Sequence, residues 1–265
     1  MEQAGRVKSG RSGLGRGAPG RRGVRSGRRA SPGGLEIVAK VGGSLYDSPS
    51  LREVVKALAD AARSSRLLIV PGGGPFADTV RGAWRRHRLS DKGAHRMALL
   101  AMDQFGLLLC DLEPRAEPVR TLAAARRALV EGKLPVLLAA RLAAAARDLP
   151  ASWSVTSDSI AAWVAGRAGA RRLVLIKSID GPAPGKRALS AIRVAVRKPT
   201  CTADRMAERG WVDQAFPGIL PRGIDCRIVN GRVPGRVAEL LAAGSSRRSP
   251  RSSSSRNSLR LRPPP

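Results

Sequence analysis

Aromatic residues are scarce in this chain of 265 residues: they make up 3% of it, although 43% of the residues are hydrophobic. A buried core must therefore consist mainly of Ala, Leu, Val and Ile. The scarcity also argues against binding of single-stranded nucleic acid, because such proteins usually stack bases on aromatic rings. A chain of this length is sufficient for one large α/β domain or two small ones.

Cysteines are few, and long apolar runs are missing. Cys110, Cys201 and Cys226 stand far apart, without a Cys-x-x-Cys spacing or a Cys/His cluster, so we expect neither a disulfide framework nor a zinc site. Buried, reduced thiols in a cytoplasmic protein are the expectation. No run of about 18 apolar residues occurs, and the first residues lack the apolar segment of a secretory signal, so we predict no membrane association.

Acidic residues are outnumbered 20 to 48 by basic ones, which gives a net charge of +28. Residues 1–34 hold eight arginines and one lysine against one glutamate, and residues 245–265 hold six arginines and no acid. These two ends carry half of the net charge. Their Gly-, Ser- and Pro-rich composition predicts disordered tails. Nucleic acid is therefore an expected partner only through the tails, if at all.

Apolar runs and helical spacing alternate along the rest of the chain. Strands are predicted at 36–41, 67–70, 107–109, 136–138, 173–176 and 226–229. Helices are predicted from about 49, from 75, from Ser90, at 121–130, at 143–147, from 160 to 168, at 206–209 and at 234–241. The alternation predicts an α/β fold with a mainly parallel sheet and helices on both faces. Residues 182–200 allow no assignment.

Two glycine-rich loops follow the first two strands. The first strand places Lys40 just before Gly42, Gly43 and Ser44, and the second runs into Gly72, Gly73 and Gly74. Backbone amides in such loops bind phosphate oxygens, and glycine permits close approach. A plain turn is the alternative for either loop alone, although three consecutive glycines exceed what a turn needs. Neither loop has the spacing of a P-loop or of a dinucleotide-binding fingerprint.

The second half of the chain adds a carboxylate and a lysine. Asp158 lies in the first turn of a predicted helix, where it could simply complement the helix dipole. Lys177 ends an apolar strand and could be a solvated side chain, and Asp180-Gly181 is also an ordinary turn signal. Together with Lys40 and the glycines, however, these residues provide the positive charge and positioning that phosphoryl transfer requires.

These segments resemble the amino acid kinase family over about residues 36–243. The matching segments are Lys40 to Ser44, Pro71 to Asp78, Thr156 to Ser159, and Leu173 to Gly181. The resemblance implies a kinase with a three-layer αβα sandwich, ATP and Mg²⁺ as cofactors, and a homo-oligomer. It also implies a kinase domain at 35–244, with an acceptor half at about 35–150 and an ATP half at about 151–244.

The resemblance assigns roles to individual residues. The catalytic group is Lys40, Asp158 and Lys177. The nucleotide-binding group is Gly42, Gly43, Ser44, Asp180 and Gly181. The acceptor-binding group is Gly72, Gly73, Gly74 and Asp78. No residue is assigned as a metal ligand. A further nucleotide-binding lysine is either Lys186 or Lys198.

Further details are similar to a narrower group, the kinases of methanofuran biosynthesis, which convert aminomethylfuran methyl phosphate to its diphosphate. The likeness extends over Ala94 to Asp103, Trp153 to Trp163, and Val212-Asp213 with Phe216-Pro217. The implied acceptor is a small phosphate-bearing molecule with an amine, which Asp78 or Asp103 could meet. The two histidines, His87 and His95, lie on basic helical segments, where a catalytic role is the lesser expectation.

Other functions remain open at this point. The acceptor could be that of another family kinase, of the acetylglutamate, uridylate or isopentenyl phosphate type. A kinase fold with little turnover, whose basic tails dock on nucleic acid or acidic membrane, is the rival class. The presence of Lys40, Asp158 and Lys177 together opposes that rival.

Overall fold

One sheet and the helices that flank it make up the computed structural model, which describes residues 34–179, 192–194 and 202–245. The strands are β1 (Ile37–Val41), β2 (Leu67–Pro71), β3 (Ala116–Val119), β4 (Leu134–Leu137), β5 (Arg172–Lys177), β6 (Ile192–Val194) and β7 (Asp225–Asn230). The helices are α1 (Leu51–Ala61), α2 (Gly74–His87), α3 (Asp91–Leu112), α4 (Leu122–Val130), α5 (Ala140–Ala144), α6 (Ser157–Ala168), α7 (Ala203–Glu208), α8 (Phe216–Ile219) and α9 (Pro234–Ser245). A short 3-10 turn, Gly43–Leu45, follows β1.

The strand order is β3-β4-β2-β1-β5-β7-β6. All neighbouring strands run parallel except β6, which pairs antiparallel with β7 at one edge. Strand β1 lies in the middle, where Ile37 is opposite Leu67 on one side and Arg172 on the other. All five residues of β1 are buried, as the continuous apolar run predicted. The prediction of a mainly parallel α/β sheet is confirmed.

Two apolar layers separate the sheet from its helices, which confirms the three-layer αβα sandwich. On one face, Val38, Leu173 and Leu175 pack with the residues of α4 to α8. On the other face, Ala39 and Val174 belong to the layer that packs on α1 and α9. The long helix α3 contributes side chains to both layers. Alternation of side chains along each strand assigns successive residues to opposite faces.

The strand predicted at Leu107 to Leu109 is wrong, because these residues lie within α3. Phe105 and Leu109 recur at helical spacing and are buried, whereas Leu107 is 50% exposed. The third strand lies instead at Ala116–Val119, at the sheet edge, where it carries a glutamate and a proline. Edge strands tolerate proline. Because β3 contains a glutamate and a proline, it is not an apolar run, and a search for apolar runs does not detect it.

The helix boundaries follow capping residues that the sequence displays. Ser90 caps α3 by accepting a hydrogen bond from the amide of Gly93 at 3.1 Å. Gly169 ends α6 in a left-handed conformation with φ of 67°, which favours glycine. Helix α5 begins earlier than its predicted segment 143–147.

Several sequence predictions fall outside the described residues. These concern the tails up to residue 33 and from 246 onwards, Cys201, Asp180, Gly181, Lys186 and Lys198. Cys226 is a buried free thiol, while Cys110 is only partly buried. Within the described part of the chain, no helix is both long enough and apolar enough to cross a membrane.

Candidate active site

Three neighbouring parallel strands end at the same edge of the sheet, and the predicted site residues follow them. Strand β1 leads into Gly42, β2 leads into Gly72, and β5 ends at Lys177. The amide of Gly42 donates to the carbonyl of Ile176 at 2.8 Å, and the amide of Gly72 donates to the carbonyl of Val41 at 2.8 Å. These bonds continue the sheet pairing beyond the strands and fix the start of each glycine loop.

The two glycine loops pack directly against each other, backbone on backbone. A Cβ atom on Gly43 would lie 2.1 Å from the amide nitrogen of Gly74. A Cβ atom on Gly72 would lie 2.5 Å from the amide nitrogen of Gly43. Gly74 also has a φ of 54°, a left-handed conformation that favours glycine. The glycines are therefore required for close approach of two loops, which a plain turn would not explain.

A cluster of three charged side chains (Lys40, Asp158 and Lys177, the charged cluster below) lies on the α6 side of the sheet. The ammonium nitrogen of Lys40 is 2.9 Å from Oδ1 of Asp158, and that of Lys177 is 2.5 Å from Oδ2. Lys40 and Asp158 are each only 4% exposed. Lys177 also donates to the backbone carbonyl of Trp211. The structure thus brings together the three predicted catalytic residues.

Burial and charge act against each other in this cluster. Burial alone would raise the pKa of Asp158, but the ammonium groups of Lys40 and Lys177 outweigh it and lower that pKa. Burial lowers the pKa of Lys177, and the charge of Lys40 lowers it further, while Asp158 and Asp213 oppose the shift. With both lysines protonated, the cluster has one positive charge in excess, which favours a bound anion.

The segment Trp211 to Asp213 connects to the same cluster, although the sequence predicted no role for Asp213. Its carboxylate accepts hydrogen bonds from the hydroxyl groups of Thr156 and Ser159, at 2.7 and 2.5 Å. The only sequence signal was the Val212-Asp213 pair among the points of likeness. The contact itself spans 57 residues of sequence, so no local pattern reveals it.

A cavity of about 500 Å³ lies beside the glycine loops. Five of the predicted nucleotide- and acceptor-binding residues line it, namely Gly43, Ser44, Gly73, Gly74 and Asp78. Gly42 and Gly72 instead pack behind this surface against Ile176 and Gly43. The remaining wall comes from α3 and from the loop and first turns of α6, including Leu99, Met102, Trp153 and Ile160. Volumes of this size suit a small ligand.

The polar groups of the cavity include residues that the sequence did not single out. Asp47 and Arg81 line it together with Asp78. Asp78 forms an ion pair with Arg81, whose guanidinium carbon lies 5.8 Å from the centroid of the Trp153 ring. Asp47 forms no ion pair with any residue that the structure describes. The cavity therefore presents two carboxylates and a guanidinium around an apolar wall.

Three other residues that the sequence analysis considered differ in their surroundings. His95 lines the cavity and is 4% exposed, and burial lowers its pKa, against the effect of a hydrogen bond to the backbone of Ser152. His87 is exposed at the end of α2. Asp103, considered for the amine of the acceptor, instead accepts a hydrogen bond from the amide of Ala140 at 3.0 Å and does not line the cavity. Its carboxylate therefore holds the start of α5.

Comparison with known proteins gives one family and a set of similar folds. A model described as "Amino acid kinase family" matches residues 36–181. The [5-(aminomethyl)furan-3-yl]methyl phosphate kinase of Methanocaldococcus jannaschii is 28% identical over 209 residues, which cover 77% of this chain and 92% of that protein.

Solved structures with a similar fold include the uridylate kinase from Archaeoglobus fulgidus, with a TM-score of 0.59 and 20% identity over 78% of this chain and 96% of that one. The UMP kinase from Ureaplasma parvum has a TM-score of 0.54 and 14% identity, over 79% of this chain and 95% of that one. At such identities, these two likenesses concern the fold alone.

Proposed function

This chain belongs to the amino acid kinase family, and from that premise we propose that it is an ATP-dependent phosphotransferase whose acceptor is a small molecule that already carries a phosphate. The observation that carries the proposal is the buried charged cluster at the sheet edge where the two glycine loops meet. Such an arrangement offers fixed positive charge and free backbone amides to a phosphoryl group in transfer.

The chemistry needs no covalent protein intermediate. An oxygen of the acceptor's phosphate forms a bond to the γ-phosphorus of ATP while the bond from that phosphorus to the ADP oxygen breaks. Lys40 and Lys177 stabilise the charge on the moving group, and Asp158 holds both ammonium groups in place. The amides of Gly43, Ser44, Gly73 and Gly74 hold the remaining oxygens, because those of Gly42 and Gly72 already donate to sheet carbonyls.

ATP and Mg²⁺ complete the proposed reaction. Mg²⁺ would neutralise charge on the phosphate oxygens of ATP. Within the described residues, no group of three or more His, Cys, Asp or Glu side chains is close enough to hold a metal ion. We therefore propose that the cation is coordinated chiefly by the nucleotide. The nucleotide roles of Asp180 and Gly181 remain predictions, because both residues lie outside the described part of the chain.

The cavity supports an acceptor with an amine and a ring. Asp47 and Asp78 can meet an ammonium group, and Arg81 can meet an anion. Leu99, Met102 and Ile160 provide an apolar surface for a flat ring. Aminomethylfuran methyl phosphate, the acceptor in the name of the relative from Methanocaldococcus jannaschii, combines these three groups. We propose it as the acceptor and its diphosphate as the product.

A substrate panel tests the proposal. ADP release would be measured with Mg-ATP and, in turn, aminomethylfuran methyl phosphate, UMP, isopentenyl phosphate and N-acetylglutamate. We expect the highest kcat/KM for the furan phosphate and almost none with Lys40→Ala. If another acceptor gave the highest kcat/KM, that acceptor and not the furan phosphate would be the substrate. ATP binding without turnover of any acceptor would instead favour the rival class, a kinase fold that only binds.

Self-association is also proposed for this chain. Leu100 and Leu107 are 58% and 50% exposed on α3, where they would be protected from water by a second copy. Light scattering of the full chain would give its mass in solution. A monomer at all concentrations would exclude the homo-oligomer.

A further inference from the structure

Asp213 lies between α7 and α8, outside the residues that contact a substrate in the proposed function. Its carboxylate nevertheless receives four hydrogen bonds from the start of α6. Thr156 donates from its amide at 3.2 Å and from its hydroxyl at 2.7 Å, and Ser159 donates from its amide at 3.1 Å and from its hydroxyl at 2.5 Å. Both oxygens of this half-buried carboxylate are therefore engaged by a single helix end.

These bonds replace the usual cap of the helix. The first amides of a helix have no partner within it and are commonly satisfied by the side chain of the N-cap residue. In α6 that residue is Thr156, whose side chain makes no capping bond to the helix and donates to Asp213 instead. A carboxylate at this position also complements the helix dipole. Asp213 therefore fixes where α6 begins.

The position of α6 matters because it carries Asp158, which lies between Thr156 and Ser159, the two residues that Asp213 holds. The segment that contains Asp213 also contacts Lys177, because the carbonyl of Trp211 accepts a hydrogen bond from the Lys177 ammonium. One short stretch, Trp211 to Asp213, thus contacts both Lys177 and the turn that presents its counter-ion.

We infer that Asp213 is a positioning residue for phosphoryl transfer, which ties the Trp211 carbonyl and the first turn of α6 together and so sets the distance between Lys177 and Asp158. The expected effect of Asp213 on turnover rests on the proposed function. The effect of Asp213 on Lys177 does not depend on any substrate.

Asp213 also contributes charge. The groups that act on the Lys177 ammonium are Asp158 from α6, Lys40 from β1, and Asp213. The thiol of Cys226 on β7 interacts with Lys177 as well, but burial raises the pKa of that thiol, so it stays neutral. Asp158 contacts Lys177 directly. Asp213 forms no ion pair with Lys177 among the described residues, yet its charge, like that of Asp158, opposes the lowering of the Lys177 pKa. Removal of the Asp213 charge should lower that pKa further.

The test compares Asp213→Asn with Asp148→Asn. Asparagine keeps the shape of the side chain and removes its charge. Asp148 is a matched control, since it also pairs with α6, through Arg167, but is 57% exposed at a distance from the cluster. We expect kcat of Asp213→Asn to fall by up to about a hundredfold, because a displacement of about 1 Å in a positioned group can cost that much in rate, with KM for the acceptor nearly unchanged. Asp148→Asn should keep both constants.

A second readout uses the lysines directly. The chain has only eight lysines, so ¹³Cε labelling of lysine and NMR titration can follow Lys177, assigned with Lys177→Arg. Asp213→Asn should shift its titration to lower pH, and Asp148→Asn should not. If Asp213→Asn had the wild-type kcat and an unshifted Lys177 titration, the inference would be overturned. The same holds if this variant lost thermal stability and changed in neither of these two respects. If the wild type transfers no phosphate to any acceptor, the proposed function fails, and the titration still decides the role of Asp213.

Discussion

Gly43 and Gly74 come so close that the amide nitrogen of one loop occupies the place where the other would carry a side chain. The hypothetical Cβ of Gly43 lies 2.1 Å from that nitrogen, and 2.6 Å from the α-carbon of Gly74. Backbone atoms cannot move aside as the end of a flexible side chain can. The two loops therefore form one continuous surface, and its geometry depends on the absence of any substituent at Gly43.

Gly43→Ala should separate the loops and abolish turnover, and it should also lower the melting temperature. Gly82→Ala is the matched control, because a methyl group there meets no atom within 4 Å in the described part of the chain. Gly82 lies within α2, where alanine is favoured over glycine by about 1 kcal/mol, so this variant should melt at a higher temperature and keep its activity. Equal melting temperatures for the two variants would contradict the close packing.

Lys40→Ala should lower kcat by about 10²–10³, the range found when one fixed group that stabilises a transition state is removed. Lys40→Arg should not restore activity, because a guanidinium is larger and flatter than an ammonium and the site is 4% exposed. Steady-state kinetics with saturating ATP would measure both. Lys56→Ala, an exposed lysine on α1, serves as the control and should match the wild type.

The activity should have an alkaline limit set by Lys177. Burial and the charge of Lys40 lower its pKa below the ordinary 10.5. The ammonium is therefore lost as pH rises through this lowered pKa, and kcat should fall with it at a pH below 10.5. Lys177→Arg does not titrate in this range, so any activity it retains should lack the limit. A kcat that stays constant up to pH 10.5 in the wild type would contradict the assignment.

Stability should depend on pH through His95. Burial lowers its pKa from 6.5, so the folded protein keeps the ring neutral where the unfolded chain takes up a proton. The free energy of unfolding should therefore fall as pH decreases from 6.5. Urea titrations of His95→Gln should show a smaller fall than the wild type over this interval. An equal fall for His95→Gln and the wild type would contradict this assignment.

Asp47→Asn should raise the KM for an amine-bearing acceptor by roughly ten- to a hundredfold, since hydrogen bonds to charged groups contribute about 1.5–3 kcal/mol. Asp78→Asn should have a smaller effect, because Arg81 already neutralises that carboxylate. An acceptor in which a methyl group replaces the aminomethyl group should bind both variants and the wild type alike. Equal KM values for Asp47→Asn and the wild type with the amine would remove Asp47 from the acceptor site.

The sequence predicted the parts of the site that lie next to a strong local pattern. Lys177 ends an apolar strand, Lys40 is the last residue but one of another, and the glycines follow such strands, so a parallel sheet brings them to one edge. Asp213 could not be found in this way, because its partners lie 57 and 54 residues away in sequence and meet it only through packing. Asp47 was missed for the same reason, since only the folded cavity shows what faces it.

The strand pattern was reliable in the middle of the sheet and failed at the edge formed by β3. Strands β1, β2 and β5 are buried and were predicted within a residue or two. Strand β3 lies at the edge, with Glu117 and Pro118 in its middle, and was assigned to a segment of α3 instead. The apolar run that contains Leu107 is typical of a strand, but the segment is helical and the Leu107 side chain is exposed to solvent.

The central position of β1 has a consequence for the order of folding. Ile37 is among the first described residues to leave the ribosome, yet its neighbour Arg172 is made only after most of the first half of the sheet. Pairings so distant in sequence form slowly, because the chain must first lose the entropy of a long loop. Until β5 arrives, β1 presents an open edge. Lys40 and Lys177 therefore meet late, and nascent chains shorter than β5 should have no reactive centre.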